Sequence, residues 1–262
     1  MNLNLKGKRA LVCGSTQGIG KAVAEELANL GANVTLLARN TEKLNEVKDS
    51  LFSSGGQNHQ ILTADFTKVD ELKSIIEAHI AEGNVYHILI NNTGGPAGGP
   101  ALNAEVDEFR NAFEQHLVCN HILTQALVDG MKHETYGRII NIISTSVKMP
   151  IAGLGVSNTI RGAVANWSKT LAGELGKYGI TVNNVLPGAT ATQRLSSIIE
   201  NKAKKLGKSA EEVEEEMKRE IPAHRFADAS EIAAAVAFLA TPAAGYINGI
   251  NVPVDGGRTG CL

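Results

Sequence analysis

Apolar residues along the chain follow two different periods. Short, nearly continuous apolar runs read as buried strands at Arg9 to Gly14, Asn33 to Ala38, Gln60 to Ala64, Ile88 to Asn91, Gly137 to Ile143, Thr181 to Leu186 and Ile250 to Val254. Between them apolar residues recur at helical spacing: Ile19 to Leu30, Glu42 to Leu51, a segment opening at Thr67, a long stretch around Glu105 to Met131, the run carrying Ile160, Val164, Trp167, Leu171 and Leu175, and Ser230 to Ala240. The alternation predicts an α/β protein, a doubly wound parallel sheet of about seven strands with helices on both faces. No stretch rich in Pro, Ser or like charge divides the 262 residues, so the chain is expected to form a single domain.

The first strand turns tightly into a helix through Leu11 to Gly20, Leu-Val-Cys-Gly-Ser-Thr-Gln-Gly-Ile-Gly. Gly14, Gly18 and Gly20 open backbone conformations closed to other residues and let a pyrophosphate approach the amides at the helix start. Gly14, Ser15, Thr16, Gln17, Gly18, Ile19 and Gly20 are therefore the candidate phosphate turn, and with the second strand they form a βαβ unit of Rossmann type. At the tip of that strand stands Ala38-Arg39-Asn40, with a guanidinium and no carboxylate. A carboxylate there would hold a ribose 2′-hydroxyl, whereas an arginine suits a 2′-phosphate, so Arg39 and Asn40 point to NADP(H).

Asp65-Phe66 ends the third strand, where Asp65 serves either to accept from an adenine amine or only to cap the following helix. Thr67, with Asp70 three residues on, is the expected cap of that helix. After the fourth strand, Asn92-Thr93-Gly94-Gly95 lets backbone lie against whatever fills the cleft.

A net charge of −2 with mixed signs gives no footing for nucleic acid or an anionic membrane, which leaves small molecules as partners. No apolar run is as long as a signal peptide or a membrane span, so a soluble, cytoplasmic protein is expected. Cys13, Cys119 and Cys261 stand at unrelated spacings, as free thiols do, and the scattered histidines imply no metal site.

From about Leu5 to Asp255-Gly256-Gly257 the chain resembles the short-chain dehydrogenase/reductase family, near its 3-oxoacyl-carrier-protein reductase branch. The family's Thr-Gly-x-x-x-Gly-x-Gly is matched by Cys13 through Gly20, its Asn-Asn-Ala-Gly by Asn91 to Gly94, and its Pro-Gly-x-x-x-Thr by Pro187, Gly188 and Thr192. Cys13 and Thr93 are mild departures. The resemblance implies that the Thr190 backbone and Thr192 contact the nicotinamide carboxamide and pyrophosphate.

The family's Asn-Ser-Tyr-Lys tetrad is matched at Ser144 alone; His116, Ser157 and Arg161 occupy the other three positions. A typical member donates a proton from the tyrosine, a role for which a serine hydroxyl is too weak an acid. Ser157 could instead donate a hydrogen bond to the carbonyl beside Ser144, and Arg161, one helical turn on, could bridge ribose hydroxyls. His116 either passes the proton or is a core residue of the stripe Phe109, Phe113, His116, Asn120 and Leu127.

The charged segment from Gln193 to Asp228, with a capping box at Ser209 to Glu212, resembles the family's substrate lid. Its apolar residues Leu195, Ile198, Ile199 and Met217 are expected to close over the substrate, and it offers no charge clamp for a phosphate or carboxylate. Family members commonly assemble as tetramers, so a homotetramer or homodimer is implied. The function expected first is an NADPH-dependent carbonyl reductase, similar to 3-oxoacyl reductases. Reduction of a conjugated enone and a non-catalytic NADP(H)-binding role are the alternatives.

Overall fold

The computed structural model describes residues 1–261. Its centre is a seven-stranded sheet in the order β3-β2-β1-β4-β5-β6-β7. The strands are β1 (Arg9–Cys13), β2 (Asn33–Ala38), β3 (Gln60–Thr63), β4 (Ile88–Asn91), β5 (Gly137–Ile142), β6 (Ile180–Pro187) and β7 (Asn251–Val254). Every neighbouring pair is parallel. The expected strands are all present, with ends displaced by a residue at most. The strand order reverses between β1 and β4, which opens a crevice at their carboxyl ends.

Residues that alternate along β1 supply two separate cores. Ala10 and Val12 join one with Val23 and Leu27 of α1 (Gly18–Asn29), Leu44 and Val47 of α2 (Thr41–Ser50), and Ile232 and Val236 of a C-terminal helix, Ala229–Ala240. Leu11 and Cys13 join the other with Leu72 and Ile76 of α3 (Val69–Ala81) and with Leu123 and Leu127 from the long helix. Successive side chains of a strand point to opposite faces, so one apolar run serves both layers. α3 begins later than expected: Thr67 is no cap, and its backbone N–H instead donates to Asp65 Oδ1 at 2.9 Å.

The long helix is not one α-helix. α4 (Val106–Phe113) passes through a π-turn at Glu114–Val118 into α5 (Cys119–His133). The extra residue of a π-turn rotates the helix beyond it, which splits the expected stripe. Phe113 turns outward at 42% exposure, while His116, Asn120 and Leu127 face inward. Phe109 packs separately, against Val156 and Ile160 of α6 (Gly155–Leu175).

Beyond β6 the candidate lid is a pair of helices, α7 (Gln193–Leu206) and α8 (Ala210–Arg219). Gly207, at φ 65°, ends α7, and Ser209 with Glu212 caps α8 as expected. Leu195, Ile199, Ala203 and Val213 form a small core there, with Met217 against it. Three of the four apolar residues expected to face a substrate therefore face one another, and Ile198 is exposed. The C-terminal helix, α9 (Ala229–Ala240), completes the set.

Candidate active site

The glycine turn between β1 and α1 takes its shape from close approaches. Gly14 and Gly18 have φ of 59° and 56°, in the left-handed region that favours glycine. A Cβ on Gly20 would overlap the Gly14 carbonyl. Asn92, just past β4, donates from Nδ2 to the carbonyls of Cys13 (3.3 Å) and Gly14 (3.2 Å), tying the turn across the crevice. Ser15 is fully buried and its Oγ has no partner, an orphaned hydroxyl where an anion would sit. Thr16 and Ile19 are half-buried and Gln17 is exposed at the helix start. The turn thus fits a pyrophosphate.

At the other end of the crevice Arg39 is exposed beside Asp65. Burial raises the Asp65 pKa, but hydrogen bonds from Thr67 and the charges of Arg39 and Lys68 outweigh it and hold the carboxyl below its ordinary value. Asp65 thus caps its own turn while remaining at the strand end. Asn40 is the N-cap of α2, where its side-chain oxygen accepts from Lys43 N–H at 2.9 Å, which leaves the Nδ2 amide to donate. The Phe66 side chain is buried in the core with Leu72 and Leu89, and its carbonyl accepts from Cys119 Sγ at 3.5 Å.

Thr93 is half-buried and Gly94 exposed on the β4 loop. Opposite, Pro187 and Gly188 end β6, and a Cβ on Gly188 would lie 2.7 Å from Asp255 Cα. Thr190 is buried, with its hydroxyl on the Gly188 carbonyl at 3.1 Å, and Thr192 donates to the Thr190 carbonyl at 3.2 Å. A Cβ on Gly18 would come within 3.3 Å of Thr192 Cγ2, so the two loops meet over the crevice.

The catalytic candidates converge at the end of β5. Ser144 opens a short turn there, its Oγ accepting from Ser146 N–H at 3.1 Å. Ser157 and Arg161 share the buried face of α6, and Arg161 Nη1 donates to the carbonyl of Ile142, the last residue of β5, at 3.2 Å. His116, 2% exposed in the π-turn, has an unpartnered Nδ1. Burial first, then the charges of Arg161 and Arg194, push its pKa down to about 3. Held neutral by burial, the imidazole suits a hydrogen-bonding core residue, and its unpartnered Nδ1 also leaves it a group that could take a proton.

Arg194 itself went unread in the sequence. From the first turn of α7 its Nη1 donates to the Gly95 carbonyl at 3.1 Å and its Nη2 to Pro96 at 3.4 Å, closing the distance between the candidate lid and the β4 loop. This puts one cation of the segment beside the crevice, held by backbone carbonyls. One signal could have found it, since a cation in the first turn of a helix opposes the helix dipole and needs another reason to be there.

This fold and crevice define the class of open, doubly wound Rossmann-type α/β proteins. A family model described as enoyl-(acyl carrier protein) reductase matches residues 14–259, and the chain belongs to the short-chain dehydrogenase/reductase family. The chain is 33% identical over 255 residues to the 3-oxoacyl-[acyl-carrier-protein] reductase FabG of Vibrio cholerae, covering 97% of this chain and 98% of that protein. It is 32% identical over 251 residues to the NADPH-dependent reductase BacG of Bacillus subtilis, covering 95% and 97%. Among solved structures, L-sorbose reductase from Gluconobacter frateurii, complexed with NADPH and L-sorbose, superposes with a TM-score of 0.93 at 29% identity, with both chains fully covered.

Proposed function

We propose that this protein is an NADPH-dependent reductase that acts on a conjugated enone. The cofactor supplies a hydride. Support for NADP(H) comes from Arg39, from the orphaned Ser15 hydroxyl, and from relatives described as NADPH-dependent or as complexes with NADPH. Gly14 through Gly20, with Asn92 behind them, are assigned to the pyrophosphate. Thr93, Gly94, the Pro187-Gly188 turn, the Thr190 backbone and Thr192 are assigned to the nicotinamide end, with Arg161 on its ribose.

The observation that carries the choice of substrate is that Ser144 and Ser157 bring only hydroxyls, which are weak acids. His116 stays neutral near pKa 3. These groups can hold a developing oxyanion by hydrogen bonds, as an oxyanion hole does, and cannot readily protonate it. When hydride adds to the carbon β to a carbonyl, charge spreads into an enolate whose carbon takes its proton from water, and no strong acid beside the oxygen is needed. In this reading Ser157 and Arg161 stand in place of the family's tyrosine and lysine, and the replacement is what selects the reaction.

The second reading, reduction of a saturated 3-oxoacyl carbonyl, is favoured by the likeness to FabG. NADPH oxidation by the pure protein with pent-3-en-2-one, pentan-2-one and a 3-oxoacyl thioester separates the two. The enone is expected to be consumed to its saturated ketone; faster loss of the ketone or thioester establishes carbonyl reduction instead. Tight NADPH binding with no turnover of all three favours a non-catalytic role. A single domain over residues 1–262, a lid spanning 193–228, and assembly as a homotetramer or homodimer belong to the same proposal, and sedimentation reads the assembly directly.

A further inference from the structure

Two guanidinium groups, from different helices, lie near the carboxyl end of β5. Arg161 comes from α6, is more than nine-tenths buried, and is fixed by one bond to the Ile142 carbonyl at 3.2 Å. Arg194 comes from α7, after β6, and reaches the Gly95 and Pro96 carbonyls in the loop after β4. Because β5 lies between β4 and β6, this side chain spans the end of β5, where Ile142 leads to Ser144. Unlike Arg161, Arg194 is open to solvent.

Among the described residues, Arg110, Arg225 and Arg258 pair with carboxylates; Arg161 and Arg194 are among the arginines that do not, and Arg138, buried like Arg161, is satisfied by backbone carbonyls far from the crevice instead. A buried cation without a counter-ion is costly, and a second cation nearby adds to that cost. Arg161 feels both effects: burial first, then the charge of Arg194, bring its pKa down to about 10. Arg194 also stands at the positive end of α7, whose own lysines, Lys204 and Lys205, lie in the favourable last turn. Neither helix stability nor ion pairing accounts for these charges. A negative group entering the crevice would offset all three costs.

We propose that Arg194, with Arg161 behind it, binds a carboxylate carried by the substrate, so that the preferred substrate is a small unsaturated oxo acid. This rests on the reductase reading above. A guanidinium has five N–H donors, and carbonyls take two of those on Arg194, which leaves enough to hold both oxygens of a carboxylate. With the acid group fixed there, the conjugated carbonyl of the same molecule falls toward the hydroxyls of Ser144 and Ser157.

The test compares 4-oxopent-2-enoate with its methyl ester, in the wild-type protein and in Arg194→Gln, which keeps a donor for the loop carbonyls and removes the charge. In the wild type kcat/KM is expected to favour the acid by at least about 10-fold, as loss of a charge-assisted pair implies. The ratio should fall to within about 2-fold in R194Q and recover in part in R194K, with the NADPH dissociation constant unchanged. Calorimetric binding of 4-oxopentanoate and its methyl ester to the protein–NADP⁺ complex gives a second readout that needs no turnover. If acid and ester react equally in the wild type, the reductase stands and the carboxylate site is wrong. If R194Q weakens NADPH and both substrates alike, Arg194 is a cofactor or loop contact and the inference is overturned. If nothing is reduced, yet the acid binds in preference to the ester and only with Arg194 present, the carboxylate site stands and the reductase reading fails.

Discussion

Asn141 Nδ2 donates to Asn184 Oδ1 at 3.0 Å across the pairing of β5 with β6. The bond is the middle step of a row. Asn91 donates to Asn141 Oδ1 at 2.8 Å, and Asn184 donates to Asn251 Oδ1 at 2.8 Å. The four residues are in register across β4, β5, β6 and β7, and every amide points the same way. Hydrogen bonds aligned head to tail polarise one another in a low-dielectric interior.

Removing the middle of that row should be expensive. Asn141→Leu leaves the Asn91 amide short of an acceptor in the core, while the Asn184 carbonyl keeps Ser168 Oγ at 2.8 Å, at a cost of about 1–3 kcal/mol. Urea unfolding measures it, and a loss below about 0.5 kcal/mol would show that the row carries no stability.

His116 sets an acid limit on the fold. Its pKa is about 3 in the folded protein, against an ordinary 6.5, so on acidification the unfolded chain takes up the proton first. The stabilisation is complete above about pH 6.5 and is lost progressively as pH falls toward 3. His79 and His87, both pushed down chiefly by burial, act in the same direction. His116→Asn should flatten stability against pH across that window. A variant profile parallel to the wild type would contradict the burial argument. Between pH 6 and 8 the wild-type kcat should show no inflection from this residue.

Arg39 should set the choice of cofactor. Being exposed and free of packing, it can be replaced without disturbing the core. Arg39→Ala is expected to weaken NADPH binding by about 10- to 100-fold while leaving NADH within about 3-fold, since only one of them carries the phosphate that the guanidinium grips. Equal losses for both cofactors, measured by fluorescence titration, would remove Arg39 from the 2′-phosphate.

Ser157→Ala tests the oxyanion assignment. The loss of one donor to a developing oxyanion should lower kcat by about 10- to 100-fold with NADPH affinity unchanged. An unaltered kcat would leave Ser144 as the sole hydroxyl in that role.

The strands and the glycine turn are legible in the sequence because their signals are local. A buried parallel strand is an apolar run, and Gly14, Gly18 and Gly20 serve one turn within seven residues of sequence. Ser144, Ser157 and Arg161 can be found by counting from neighbouring motifs, and α6 places the last two on one buried face. Arg194 cannot, because its partners at Gly95 and Pro96 lie nearly a hundred residues away and its role depends on where β5 ends. Asn40 and Phe66 show another limit: each side chain also serves the fold, as a cap and as a core contact, and position in the chain alone does not reveal it. Phe113 and His116 fall on different faces because the π-turn begins between them, which no spacing rule anticipates.

That π-turn makes the two halves of the long helix independently variable. α4 answers to the outer end of α6 through Phe109, while α5 answers to the sheet through Leu123 and Leu127. An ordinary helix would couple them, because each residue added or lost turns the remainder of the helix by about 100°. Here the surplus residue already absorbs that rotation. The outer wall of the crevice and the seat of the helix on the sheet are thus set by separate contacts, Phe109 for the one and Leu123 with Leu127 for the other.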